Sequence, residues 1–323
     1  MIHFIRLCRP VNLLIIALTM YSIAWYLDCL YSYDSRSGIT FYFDFFVLVL
    51  STVLIAAAGN IINDYFDIKA DRINRPNAII ITKYIKPRLA IISHWTLNFM
   101  AFAMAVYLSV KQQSFWYVFI HLLSINLLWF YSLQLKRTIY IGNVLIALLS
   151  ALVPILVGVY YYQSVEFTNE YNDIVIDVFP FKTLGQNNYI MQLVISLAVF
   201  AFFLSWSREI VKDMEDIEGD KKIRAKTIPI VFGTTKSKAW AISLLIFIFI
   251  YASFLFYLNS HSITDFKPFY PLMLTAFLGL FSIFLLIKSK EKRDFNRTQL
   301  FIKLIILSGL ILPFWWGLLL SFS

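Results

Sequence analysis

Of 323 residues, 60% are hydrophobic and 18% aromatic, and 28 Lys+Arg against 19 Asp+Glu give a formal charge of +9. Soluble domains carry about 45–50% apolar residues, so a mean hydropathy of +0.72 excludes an ordinary soluble fold. The basic excess is spread over alternate loops rather than gathered in one patch, which excludes nucleic acid as the partner.

A bilayer-spanning helix takes about 20 predominantly apolar residues. Nine such runs follow one another, at 11–27, 41–62, 89–110, 115–134, 139–161, 188–206, 239–258, 269–287 and 299–320. The reading is an all-α, polytopic protein of the cell membrane, with nine transmembrane helices in one domain over 1–323 and membrane lipids around it. The first run follows Arg6 and Arg9 without a small-residue cleavage site after Trp25, so it reads as an uncleaved anchor. Cys8 and Cys29 lie at its opposite ends and are expected neither to pair nor to bind metal. The four histidines are scattered one per region and are given no role.

The loops alternate in character. Those at 28–40 and 162–187 read as ordinary solvated outer loops, the second carrying Glu166, Glu170, Asp173 and Asp177 against Lys182. Of the 28 Lys and Arg, all but Arg36, Lys111, Lys182 and Lys267 fall on the other side. This is the positive-inside pattern, and it puts the N-terminus and the loops after the second and sixth runs in the cytoplasm.

Those two loops carry the chemistry. The second run leads into Asn63-Asp64-Tyr65-Phe66-Asp67-Ile68-Lys69-Ala70-Asp71-Arg72, the sixth into Lys212-Asp213-Met214-Glu215-Asp216-Ile217-Glu218-Gly219-Asp220-Lys221. Asp64, Asp67 and Asp71 repeat the i, i+3, i+7 spacing of Asp213, Asp216 and Asp220, which keeps each triplet on one helical face. The offset of four helices suggests two four-helix repeats plus one helix. Three like charges on one face destabilise a helix unless something neutralises them. A divalent cation does so, and all-oxygen ligands favour magnesium or calcium. Magnesium is usually held by one or two carboxylates together with substrate phosphates. Two acidic faces meeting over one cavity therefore suit a metal-bound diphosphate, with Arg72, Arg75, Lys136, Arg208 and Lys212 available for its remaining oxygens. Ionisation would leave an allylic carbocation, which an aromatic, dry pocket stabilises.

At these residues the chain resembles the UbiA superfamily of intramembrane prenyltransferases. Asn63, Asp64, Asp67 and Asp71 match its N-D-x-x-D-x-x-x-D signature, and Asp216 and Asp220 its D-x-x-x-D signature. Arg9-Pro10 with Asn12, Tyr131…Lys136 before Gly142-Asn143, and Thr227-Ile228-Pro229 ending in Gly233 are also similar. The resemblance implies a helical ring around a central cavity, with a magnesium-bound prenyl diphosphate at its cytoplasmic mouth. It implies Asn63, Asp67 and Asp71 on one magnesium–diphosphate unit and Asp216 and Asp220 on the other. Asp64 and Asp213 add to the metal set or support it. Lys136, Lys212 and Arg72 are implied as diphosphate ligands, with Asn12, Tyr131 and Arg208 lining the substrate site. One departure is that Asn77 to Lys83, after Arg75-Pro76, lacks the glycine usual in that turn.

The run from Arg208 to Asp220 is similar to the branch of the family that makes digeranylgeranylglyceryl phosphate. It implies a geranylgeranyl donor and a glycerol phosphate acceptor, whose phosphate Arg208, Lys221 and Lys222 would meet. An aromatic acceptor of quinone biosynthesis, 4-hydroxybenzoate or dihydroxynaphthoate, needs the same metal site. A transporter also explains apolar helices and a repeat, but transporter sites lie near the midplane at broken helices, whereas these carboxylates follow the spans.

Overall fold

The computed structural model describes residues 2–31, 42–166, 175–178, 181–259 and 267–321. A short helix, α1 (Ile2–Leu7), turns at Arg9 into α2 (Pro10–Tyr31), which opens on a proline, as first helical turns favour. Then come α3 (Phe43–Asn74), α4 (Pro87–Lys111), α5 (Trp116–Leu133) and, after a 3-10 turn at Leu135–Arg137, α6 (Ile141–Glu166). Beyond lie α7 (Gln186–Glu215), the short α8 (Ile217–Lys222), α9 (Ile228–Asn259, kinked at Gly233), α10 (Tyr270–Lys288) and α11 (Lys292–Ser321).

Among the described residues nine helices are long and apolar enough to cross a membrane, one for each expected run. The boundaries differ instructively. The second run was expected to end at 62, yet α3 continues to Asn74. No glycine or proline intervenes before Pro76, and proline disfavours helix in the residue before it; Arg75 accordingly leaves the helix at φ −147°. At 1.5 Å per residue the 32 residues of α3 span about 48 Å, against about 30 Å of hydrocarbon. The helix is therefore longer than one crossing needs, and the acidic motif begins about 30 Å along it.

Most of the loop expected at 28–40 lies outside the described residues, as do Glu170 and Asp173. The second outer stretch is more than a solvated loop. Its strands β1 (Val175–Val178) and β2 (Phe181–Gly185) pair antiparallel, Val175 opposite Gly185 and Val178 opposite Phe181. The β-branched Val175, Ile176 and Val178 favour that conformation.

Helix neighbours trace a closed ring: α2 packs on α3, α3 on α5, α5 on α6, α6 on α7, α7 on α9, α9 on α10, α10 on α11, and α11 on α2. Helix α4 stands outside this ring against α3 and α5. The ring encloses a cavity of about 770 Å³, and the two in-helix prolines, Pro154 and Pro313, both line it. The end remote from the acidic motifs is packed shut by Tyr26, Phe45, Tyr117, Tyr160, Tyr161 and Tyr189, all fully or nearly fully buried. Buried tyrosine hydroxyls need partners; Tyr26 bonds Tyr189, and Tyr161 donates to Asp28 and to the Ala24 carbonyl. His94 reaches the Ala58 carbonyl (2.9 Å) and His121 bridges Ser51 Oγ and the Tyr117 carbonyl (2.8 Å each), so both pin neighbouring helices together. Both cysteines are free.

Candidate active site

The acidic motifs meet where α3 ends. Asp64, Asp67 and Asp71 lie on one continuous helix, as their spacing requires. The second triplet does not: α7 stops at Glu215, Asp216 takes φ −98° and ψ 6°, and Asp220 belongs to α8. The expected single helical face is thus broken at Asp216, and a contact from another helix explains the break. Asn74 Nδ2 donates to the Asp216 carbonyl (3.1 Å) while Asn74 Oδ1 accepts from the Gly219 amide (2.9 Å). Only glycine fits here, because a Cβ on residue 219 would come within 2.4–2.7 Å of the Asn74 side chain.

A buried polar network fixes that junction. Glu215, with a side chain only 3% exposed, accepts from Arg75 Nη2 (3.1 Å), Asn296 Nδ2 (3.2 Å) and Gln299 Nε2 (2.6 Å). Arg75 Nη2 also lies 3.4 Å from Asp216 Oδ2, and Lys292 Nζ donates to the Asn74 carbonyl at 2.6 Å. The ends of α3 and α7 and the start of α11 are therefore tied around Asp216. Sequence reading singled out Arg72; the structure places Arg72 exposed on α3, and Arg75 turns inward instead. Asn74, Glu215, Asn296 and Gln299 were missed; the place of Glu215 inside the second motif, and of Asn74 three residues after the first, was the only hint.

Lys136 bridges to the first motif, 2.6 Å from Asp67 Oδ1 and 3.3 Å from Asn63 Oδ1. Gly142 lets the turn approach, since a Cβ there would stand 2.8 Å from Lys136 Cα and the Leu135 carbonyl. Burial lowers the Lys136 ammonium, while Asp67 opposes the shift. Asp64 and Asp213 each have a partner of their own: Arg9 Nη2 lies 2.5 Å from Asp64, and Asn143 Nδ2 donates to Asp213 at 2.9 Å. Both contacts suit supporting positions better than direct metal ligation. Asn12, Asn63, Tyr131, Arg208 and Lys212 line the cavity. Lys221 and Lys222 are exposed on α8 and do not.

Burial pushes the Asp220 carboxyl up to about 7, helped by Asp216 and Asp67. Asp216 is also raised, chiefly by burial, against the pull of Arg75 and Lys212. Carboxylates from both motifs thus share one field and lack the positive charge to ionise together. Among the described residues no three of His, Cys, Asp or Glu converge closely enough to hold a metal ion by themselves. That donor set, all oxygen and incomplete without further ligands, fits magnesium shared with substrate phosphates.

Fold and site together define a polytopic helical membrane protein whose two acidic motifs converge beside an apolar, ring-enclosed cavity. The chain belongs to the UbiA prenyltransferase family, whose model matches residues 29–305, and it is a prenyl-transferring enzyme. A digeranylgeranylglyceryl phosphate synthase of Methanosphaera stadtmanae is 28% identical over 277 residues, covering 86% of this chain and 88% of the relative. A solved digeranylgeranylglyceryl phosphate synthase superposes with a TM-score of 0.62 at 24% identity, over 97% of this chain and 98% of that one. A UbiA homolog from Archaeoglobus fulgidus, solved with GPP and Mg2+, gives 0.56 at 18% identity, over 96% and 99%. At these identities the two structural matches speak to the fold alone.

Proposed function

We propose that this chain moves a prenyl group, geranylgeranyl in the best-supported case, from a magnesium-bound diphosphate to the hydroxyl of a glycerol phosphate ether, geranylgeranylglycerol phosphate, in ether-lipid synthesis. The observation that carries this reading is the meeting of Asp67, Asp216 and Asp220 in one field beside an apolar cavity. Its volume of about 770 Å³ lies within the ~300–1,000 Å³ of small-molecule sites. The activity named for the curated relatives supports the acceptor, and the all-oxygen donor set of the two motifs supports the ion and a diphosphate donor.

Asn63, Asp67 and Asp71 would hold one magnesium–diphosphate unit, and Asp216 and Asp220 the other. Bound magnesium supplies positive charge against the departing diphosphate. Lys136 and Lys212 meet its free oxygens, and Arg75 positions Asp216. The C1–O bond of the allylic diphosphate breaks with its electron pair leaving on the diphosphate. Tyr131, which lines the cavity at its acidic end, offers an aromatic ring to the allylic cation. The acceptor oxygen bonds to C1, and its proton leaves through the aqueous mouth. The division of Lys and Arg orients that mouth, and the N-terminus, to the cytoplasm, where the whole chain acts as one unit.

The test is prenyl transfer by purified protein from labelled geranylgeranyl diphosphate to geranylgeranylglycerol phosphate, 4-hydroxybenzoate or dihydroxynaphthoate. Product should form with the glycerol phosphate and vanish in EDTA and in the Asp67→Asn and Asp216→Asn variants. Full turnover in EDTA would refute the metal site, and transfer to the aromatic acceptors alone would move the chain to quinone chemistry.

A further inference from the structure

Lys303 stands eleven residues into α11, inside a membrane span, and lines the cavity. An ionisable side chain at such depth is costly and marks a functional contact unless a partner neutralises it. Among the described residues Lys303 has no hydrogen-bond or ion-pair partner. Its strongest charged neighbours are Arg208 and Arg9, then the opposing Glu209 and Lys212. Glu209 is already engaged at both oxygens, by Arg208 Nη1 at 3.0 Å and by Lys212 Nζ at 3.4 Å. Arg9 is taken by Asp64. Of the four cations, Lys303 is therefore the one with no carboxylate paired to it among the described residues.

The position of this surplus separates it from the acidic motifs. Lys303 lies one turn, about 6 Å at 1.5 Å per residue, further along α11 than Gln299, which binds Glu215 beside Asp216. Arg208 lies eight residues before Asp216 on α7, so about 12 Å deeper on the same rise. Arg208 and Lys303 line the cavity, whereas Asp67, Asp216 and Asp220 do not. An anion seated there is carried by the substrate that lies in the cavity, one step removed from the metal-bound diphosphate.

We infer that Lys303 and Arg208 form the seat of a phosphate monoester, the headgroup of the acceptor. The inference rests on the glycerol phosphate reading above and adds the residues that would make the enzyme select it. Arg208 brings a guanidinium to the cavity wall and Lys303 a charged, rotatable ammonium, and hydrogen bonds between ionised partners are the stronger kind.

The test compares Lys303→Met, Lys303→Gln and Lys303→Arg with the native protein, varying geranylgeranylglycerol phosphate and geranylgeranyl diphosphate separately. Geranylgeranylglycerol, which lacks the phosphate, is the third substrate. Methionine keeps the length in an apolar span, and glutamine repeats the measurement should methionine disturb insertion. Both should raise the KM for the phosphorylated acceptor about tenfold or more, as loss of one charge-assisted contact implies, and leave the diphosphate KM within about twofold. Arginine should restore most of the loss, and rates with the unphosphorylated alcohol should not change. An equal rise in the diphosphate KM would assign Lys303 to the donor, and an unchanged acceptor KM would remove it from the site; either overturns the inference. If the native protein fails to prenylate the glycerol phosphate at all, the proposed function itself falls.

Discussion

Lowering the pH from about 8 to about 6 should weaken magnesium-supported turnover through Asp220. Burial first, then the charges of Asp216 and Asp67, pushes this carboxyl up to about 7, with Lys212 and Lys136 pulling the other way. A metal ligand must lose its proton before it can bind, so apparent affinity follows the ionised fraction. For one group titrating near 7, the half-saturating magnesium concentration should be nearly flat at about pH 8, double at about pH 7 and rise roughly tenfold by about pH 6. Stability without the metal runs in the opposite sense. Between the ordinary value of 3.8 and about 7 the folded chain keeps a proton that the unfolded chain has lost, so metal-free stability falls as the pH rises through that window. The assay is initial rate against magnesium at three pH values with saturating donor, in the native protein and in Asp220→Asn. The diphosphate also titrates in this range, and the variant isolates its share. Asp220→Asn should show a weaker but flatter magnesium requirement. A pH dependence identical in both proteins would refute the assignment of the titration to Asp220.

Glu215→Gln removes the charge that Arg75, Asn296 and Gln299 share. Stability in detergent should fall by about 1–3 kcal/mol, because a buried donor is left facing an amide, and the magnesium requirement should rise as Arg75 turns wholly to Asp216. Unchanged Tm and magnesium dependence would show the network to be idle. Thr82, in the turn that lacks the family's usual glycine, holds φ 79° and donates its amide to the Ile85 carbonyl at 2.9 Å. Left-handed backbone costs an L-residue about 1–2 kcal/mol and glycine's extra entropy about 0.5–1 kcal/mol, so Thr82→Gly should raise Tm modestly, and a lower Tm would contradict the strain.

The spans were legible because the bilayer imposes its demand locally. Each crossing segment must satisfy its own backbone hydrogen bonds and present its own apolar surface, so 139–161 announces α6 without reference to any neighbour. The acidic motifs were legible for a related reason: like charges at i, i+3 and i+7 are unfavourable by themselves and call for a counter-ion. Lys136 followed from its place beside a loop, and its contact with Asp67 joins two segments that the resemblance already paired. What remained hidden depends on residues far apart in the chain. The break at Asp216 is made by Asn74, 142 positions earlier, and Lys292 grips the Asn74 carbonyl from 218 positions later. Arg72 and Arg75 look alike in one dimension, and only the turn before Pro76 sends the second inward to Glu215. Lys303 was counted among the basic residues of a loop, although it sits inside an apolar run. Its meaning appears only when α2, α7 and α11 close the ring and leave its charge facing a cavity with no carboxylate free to meet it, because electrostatic neutrality in a low-dielectric interior is set by neighbours in space and not along the chain.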